Sequence, residues 1–427
     1  MLYDRKSVIR QYIKGGHLMR RIRRQVRVFS AMALSVFVVG FALTASSANA
    51  IAASKNSSPI KIGIICSCTG PLASSTSVGP PSYEAWADLV NAAGGINGHK
   101  IQVIVKDDAF NPSTSLSEAE SLVGQDHVIA LVDGSDVDAV WSTYAKQQSV
   151  PVIGVVSSSE PFYSNSDFFA EGQTEDQLFD AIVGAAKKVN AKSLALFYCA
   201  EAATCQQGVA PLRTTASALG VPLVYDASIS ASAPNYTAQC LAAKQAGAQA
   251  VFIADAVGVV ASAAQSCAQQ GYTPPVVVDG ESLALTMKSQ NGLTKDTIFE
   301  MPNASPTSTI PAIKQMTAAF NKYKPGLTKQ ANYSEINVQA WAGGELFEAA
   351  AKAGKLGANG STPTSAQLYK GLYALHGDTL NGLAPPLTFV KGKPNPVDCW
   401  ANYVLLKNGK FTTPFGTGTV CAHKSSS

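Results

Sequence analysis

From Ile60 onward, short apolar runs alternate with longer segments whose apolar positions recur at helical spacing. IKIGIIC (Ile60 to Cys66), IQVIVKD (Ile101 to Asp107), VIALVD (Val128 to Asp133) and PVIGVV (Pro151 to Val156) read as buried strands. Between them, YEAWADLVN (Tyr83 to Asn91), a stretch from about Ser113 to Val123 and another from Trp141 to Gln148 predict helices. Gly94-Gly95 and Asn97-Gly98 stop the first of these and set a turn. Val and Ile runs without polar alternation belong to strands covered on both faces, so the order implies a parallel sheet between helices.

The same grammar restarts after the polar stretch EGQTEDQ (Glu171 to Gln177). Strands are expected at SLALFY (Ser193 to Tyr198), PLVYDASI (Pro222 to Ile229), AVFIAD (Ala250 to Asp255) and PVVVDG (Pro275 to Gly280). Helices are expected over about Leu178 to Val189, Gly208 to Leu219, Tyr236 to Ala246 and Val259 to Gln270. The chain therefore predicts an α/β protein of two doubly wound, Rossmann-like lobes with parallel central sheets. Periodicity lapses at Glu171 to Gln177, Pro302 to Pro311 and Asn381 to Pro386, which are candidate crossings between the lobes.

Composition narrows the class. Of 427 residues, 46% are hydrophobic and 15% charged, with 34 Gly, which excludes a disordered or collagen-like chain. The formal charge of +4 is misleading, because nine basic residues and one acid, Asp4, lie in the first 50 positions. Residues 51–427 carry 24 basic and 28 acidic side chains, so the body of the protein is acidic and no nucleic-acid partner is implied. The basic stretch Arg20 to Arg27, the apolar run Val28 to Ala45 and the small residues of SSANA (Ser46 to Ala50) have the order of a secretory signal, 1–50, cleaved near Ala50. An uncleaved anchor is the competing reading, since the run reaches the lower limit for a span. Met19 is a better-placed start for such a signal than Met1.

Export gives the eight cysteines a disulfide role. The expected pairs are Cys199 with Cys205, Cys240 with Cys267 and Cys399 with Cys421. Cys66-Ser-Cys68 reads as a local bridge rather than a redox dithiol or metal half-site, because no second Cys/His cluster stands at ligand spacing. No metal or cofactor is indicated. His17, His99, His127, His376 and His423 are scattered, and the chain has no HExxH, GxSxG, phosphate-loop or dinucleotide fingerprint. Asp107-Asp108 precedes Asn111-Pro112 and is expected to cap the next helix. The aromatics Phe162, Tyr163, Phe168 and Phe169 read as packing, and Trp141 is kept as a possible ligand contact. Ligands of open parallel sheets sit at the carboxyl ends of the strands. The Ser- and Gly-rich loops there suit an anion held by hydroxyls and backbone N–H groups.

IKIGIICSCTGPLA, VNAAGGINGHKIQVIVKDDAFNPSTS, SVPVIGVVSSSE, PNYTAQCLAAKQAGAQAVFIAD and LAPPLTFV together resemble the leucine/isoleucine/valine-binding proteins, the type I solute-binding subunits of ABC importers. The likeness covers Ile60 to about Lys410. It implies two lobes joined by three crossings, residues 52–175 plus 304–378 and residues 176–303 plus 379–427, closing over one solute. It further implies a periplasmic, monomeric receptor that is not an enzyme and that delivers an amino acid to an inner-membrane permease with its ATPase. By the resemblance, first-lobe ligand contacts fall at Ser74, Ser75, Asp133, Gly134, Ser135, Ser157 and Ser158. Second-lobe contacts fall at Asp255 or Ala256 and at Gly280 or Glu281, with Asp255 or Glu281 as the partner of an ammonium. Ser75 and Ala256 stand where amino-acid binders often carry an aromatic, so an aromatic acid, an amide or a urea-like solute is the alternative, and an exported redox or hydrolytic enzyme a third.

Overall fold

The computed structural model describes residues 57–174, 177–201, 203–293 and 295–422. The export signal read at 1–50 lies outside the described residues. The first sheet holds β1 (Ile60–Cys66), β2 (Ile101–Asp107), β3 (Ala130–Gly134), β4 (Val152–Gly154) and β5 (Phe168–Phe169). All are parallel, in the order β2-β1-β3-β4-β5. The second sheet begins with β6 (Leu194–Cys199), β7 (Leu223–Ile229), β8 (Ala250–Ala254), β9 (Val276–Val278) and β10 (Thr297–Glu300), again parallel. β11 (His376–Asp378) pairs with β12 (Leu387–Thr388), and β13 (Cys399–Trp400) with β16 (Val420–Cys421). Between these, β14 (Tyr403–Lys407) and β15 (Lys410–Thr412) add an antiparallel edge, so the second sheet runs β15-β14-β10-β9-β8-β6-β7.

Strand periodicity decides which residues fill which core. In the second sheet Ala195, Phe197, Val251 and Ile253 face one apolar cluster, while their neighbours Leu194, Leu196, Ala250 and Phe252 face another. The sheet is thus covered on both sides, as its uninterrupted apolar strands require. Around the first sheet, helices Gly79–Ala92, Pro311–Tyr323 and Ile336–Ala353 share a single core with β1 and β3.

Three segments run between the lobes near 171–174, 301–304 and 397–400. Asn303 Nδ2 donates to the Glu171 carbonyl at 2.8 Å, and the Val397 N–H donates to Thr174 Oγ1 at 3.0 Å. The third crossing differs from the sequence reading, which passes the chain to the second lobe at 379. Leu380, Leu383, Leu387, Phe389 and Val397 are buried in the first lobe's core, so the aperiodic stretch at Asn381 to Pro386 is a turn of that lobe.

The cysteines pair as Cys66–Cys68, Cys199–Cys205, Cys240–Cys267 and Cys399–Cys421. Cys240–Cys267 joins helices Thr237–Gln245 and Val257–Gln269, and Cys399–Cys421 ties β13 to β16.

Packing between helices Gly79–Ala92 and Ile336–Ala353 depends on Gly344, where a Cβ would lie 2.4 Å from the Trp86 ring. Gly344→Leu is expected to lower stability by about 1–3 kcal/mol or more through overpacking. Gly258→Ala, at an exposed helical site with nothing within 4 Å of the new carbon, should instead be neutral or stabilising by up to about 1 kcal/mol. Urea unfolding midpoints check both; equal midpoints for the two variants would refute the packing argument.

Candidate functional site

The switch point of the first sheet lies between β1 and β3, whose following loops diverge to opposite sides. Asp108 ties these loops together. Ser67 Oγ donates to its Oδ1 at 2.8 Å, Ser135 Oγ donates to its Oδ2, and the Phe110 N–H donates to Oδ1 at 2.8 Å. Asp107 accepts from the Thr69 and Ala109 N–H groups at 3.2 and 3.0 Å. The pair therefore does not cap the next helix. Ala109 and Phe110 take positive φ, 51° and 62°, which turns both carboxylates back to the sheet edge. Asn111 is the cap, accepting from the Thr114 N–H at 3.0 Å.

Most first-lobe hydroxyls are already engaged. Ser157 Oγ donates to the Gln173 carbonyl at 3.3 Å, and Ser158 Oγ to Asp136 Oδ1 at 2.9 Å. The neighbouring Ser159 Oγ donates to Asp138 Oδ2 at 2.6 Å. Ser74 and Ser75 sit in the short helix Ala73–Thr76, where Ser74 is exposed and Ser75 Oγ is buried without a partner. Gly134 ends β3 against the Ile65 carbonyl, 3.3 Å from where a Cβ would stand. Asp133 is fully buried and neither carboxylate oxygen makes a close hydrogen bond. Burial, with Asp138, Asp136 and Asp108 nearby, pushes its carboxyl well above the usual range. Trp141, kept as a possible ligand contact, is core: its Nε1 donates to Ser115 Oγ at 3.0 Å and its ring stacks on Phe168.

In the second lobe Asp255 follows β8, and its Oδ1 accepts from the Ala256 N–H at 2.7 Å at the mouth of helix Val257–Gln269. Burial raises its carboxyl to about 7 against that hydrogen bond. Gly280 is held where a Cβ would be 2.2 Å from the Glu300 carbonyl, so only glycine fits. Glu281 Oε1 accepts from Gln339 Nε2 at 3.2 Å, a bond that spans the cleft because Gln339 belongs to helix Ile336–Ala353 of the first lobe's core.

Between the lobes lies a cavity of about 30 Å³, lined by Ser158, Gln173, Asp279, Glu281, Glu300 and Pro302 among others. Sequence reading points to the strand-end loops Asp133–Asp138 and Asp279–Ser282 but singles out neither Asp136 nor Asp279 as a contact, and it does not nominate Gln173, Glu300 or Glu335. Asp279 and Glu300 each follow or end a buried apolar strand, a charge at the strand's carboxyl end that is a readable signal. Asp136 has φ 61°, a left-handed turn that Asp tolerates. Burial raises Asp136 and Asp279 to about 6 and Glu171 to about 8. Glu281, Glu300 and Glu335 are pushed well above the usual carboxylate range, by burial first; Asp279 and Asp136 then act on Glu281, Asp279 on Glu300, and Glu171 and Glu300 on Glu335. No lysine, arginine or histidine offsets any of these shifts, and none of the five ion pairs among the described residues involves these acids.

These shifts fix the sign of the pH dependence. Carboxyls whose folded pKa exceeds the unfolded value near 4 favour folding below that value and lose the contribution as pH rises through about 6 to 8. Scanning calorimetry of the solute-free protein is expected to show Tm falling from pH 5 to pH 8. A Tm that rises across this window would contradict the burial of unpaired acids.

A family model described as periplasmic binding protein matches residues 59–410. An amino acid binding protein of Pseudomonas aeruginosa is 50% identical over 46 residues, a stretch that is 11% of this chain and 12% of that relative. A branched chain amino acid ABC transporter structure from Thermus thermophilus with bound valine superposes with a TM-score of 0.74 at 15% identity, covering 86% of this chain and 97% of that one. A solute binding protein from R. palustris in complex with benzoate gives 0.69 at 16% identity, with 86% and 98% covered.

Proposed function

Because the chain belongs to the periplasmic binding protein family, we propose that it is the exported substrate-binding subunit of an ABC importer, closing around one small amino acid and delivering it to an inner-membrane permease with its ATPase. The family consists of extracytoplasmic substrate-binding proteins of transporters. Its members do their work by binding, which agrees with hydroxyls here that donate to carboxylates and not to an imidazole. Periplasmic residence after cleavage near Ala50, and a monomeric state, belong to the same reading.

The observation that carries it is the meeting of the two sheets' carboxyl edges over one acid-lined cavity, bridged by the Gln339–Glu281 hydrogen bond. The cavity is narrow, so an amino acid is expected to enter as the lobes part. A solute that touches both lobes favours the closed form by its differential affinity, and the closed form docks on the permease. Acids facing the cavity suit an amino group. Branched-chain amino acids head the candidates because the Thermus thermophilus neighbour holds valine. The benzoate complex of the R. palustris neighbour means that this fold leaves the ligand class open, but a cleft walled by carboxylates without a base repels an aromatic acid.

A thermal-shift screen of amino acids, followed by X-ray scattering, tests the proposal. At least one is expected to raise Tm and reduce the radius of gyration together, with Glu281→Ala weakening it by about tenfold or more through loss of a charged hydrogen bond. If no amino-bearing compound produces both effects, the proposal fails.

A further inference from the structure

We infer that the interlobe site takes an organic cation with more positive than negative charge, a diamine or diamino acid bearing ammonium groups along an alkyl chain, in preference to a net-neutral branched-chain amino acid. The inference rests on the proposal that this cleft is the solute site.

The cavity wall presents three carboxylates, Asp279, Glu281 and Glu300, and no base. Asp136 adds a fourth from the first lobe, close enough to Asp279 and Glu281 to repel both. Two wall side chains are buried with unused polar atoms. Gln173, 5% exposed, has no partner for Oε1 or Nε2, and Glu300, 1% exposed, has none for Oε2. Behind the wall, all four carboxylate oxygens of Glu171 and Glu335 lack a close partner. One ammonium brings a single positive charge against the three wall carboxylates and Asp136. A second ammonium removes much of the excess.

The complementary half of a zwitterion is poorly provided for. Most first-lobe hydroxyls already serve the chain's own acceptors, Ser135 donating to Asp108, Ser157 to the Gln173 carbonyl and Ser158 to Asp136, which leaves Ser75 Oγ and the wall amide Gln173 Nε2 as the unused donors for a solute carboxylate. The charge is also spread along the cleft and not gathered at a point: among the described residues no three His, Cys, Asp or Glu side chains converge as metal ligands. An extended organic cation fits that distribution better than a metal ion.

Isothermal titration calorimetry of the mature full-length protein at pH 8 and fixed ionic strength, with 1,4-diaminobutane, ornithine and leucine as probes, tests the inference. The diamine or the diamino acid is expected to bind about tenfold or more tightly than leucine. Glu300→Gln and, at the partly buried rim, Asp136→Asn are expected to erase that preference while circular dichroism shows each variant folded. Tighter binding of the diamine than of ornithine supports the inference and makes the carboxylate dispensable; the reverse order supports it for a diamino acid. Leucine binding as well as or better than both cations overturns it and leaves the amino-acid reading intact. If none of the probes and no other amino compound binds, both fall together.

Discussion

Carboxylates removed from water with no cation opposite them set the terms for the rest of this structure. Dehydrating a charge costs several kcal/mol, and only a hydrogen-bonded counter-charge recovers it. Glu300 and Glu335 are almost completely buried, beside Asp279 and Glu281, with no base in the group. With no counter-charge in the group, burial favours the protonated forms, which is why the carboxyl groups shift upward together. In the proposed function, a bound ammonium is what would relieve it directly, coupling occupation to closure.

The fold delivers these groups with few moving parts. β9 ends where Asp279 enters the interlobe cavity, and Asp108 clasps Ser67 and Ser135 so that the loops after β1, β2 and β3 hold one geometry. The left-handed turn at Asp136 carries its carboxylate toward the second lobe. Short crossings stitched by Asn303, Glu171, Thr174 and Val397 join the lobes, whose cores stay separate. Gly280 admits Glu300 at a distance no side chain would tolerate. Stability and recognition thus draw on the same residues.

Much of the architecture is readable in the chain because it rests on local pattern. β1 and β2 occupy the same seven residues that their apolar runs predict, and a Val-rich run between turn residues leaves little choice of structure. Helix Ile336–Ala353 escapes the same reading because it is buried almost all round, with Asn337 and Gln339 inside and Gly343 and Gly344 breaking the stripe. The third crossing misleads because loss of periodicity marks any turn, and Leu380 to Phe389 turn within one core. At the site, Asp133 and Glu281 stand out as acids after apolar strands, whereas Glu335 and Gln339 precede or lie in that unrecognised helix. Gln173 is a polar residue in a polar stretch; only the approach of the two lobes gives it a meaning.

The central claim is that an amino-bearing solute sits between the lobes, its ammonium charge set against the chain's acids. Native mass spectrometry of the purified mature protein, followed by mild denaturation and identification of whatever is released, tests it most directly, since a solute enclosed on all sides survives purification. The account predicts a mass increment that disappears on denaturation and a released compound carrying at least one amino group. Release of a carboxylic acid without an amino group would contradict it.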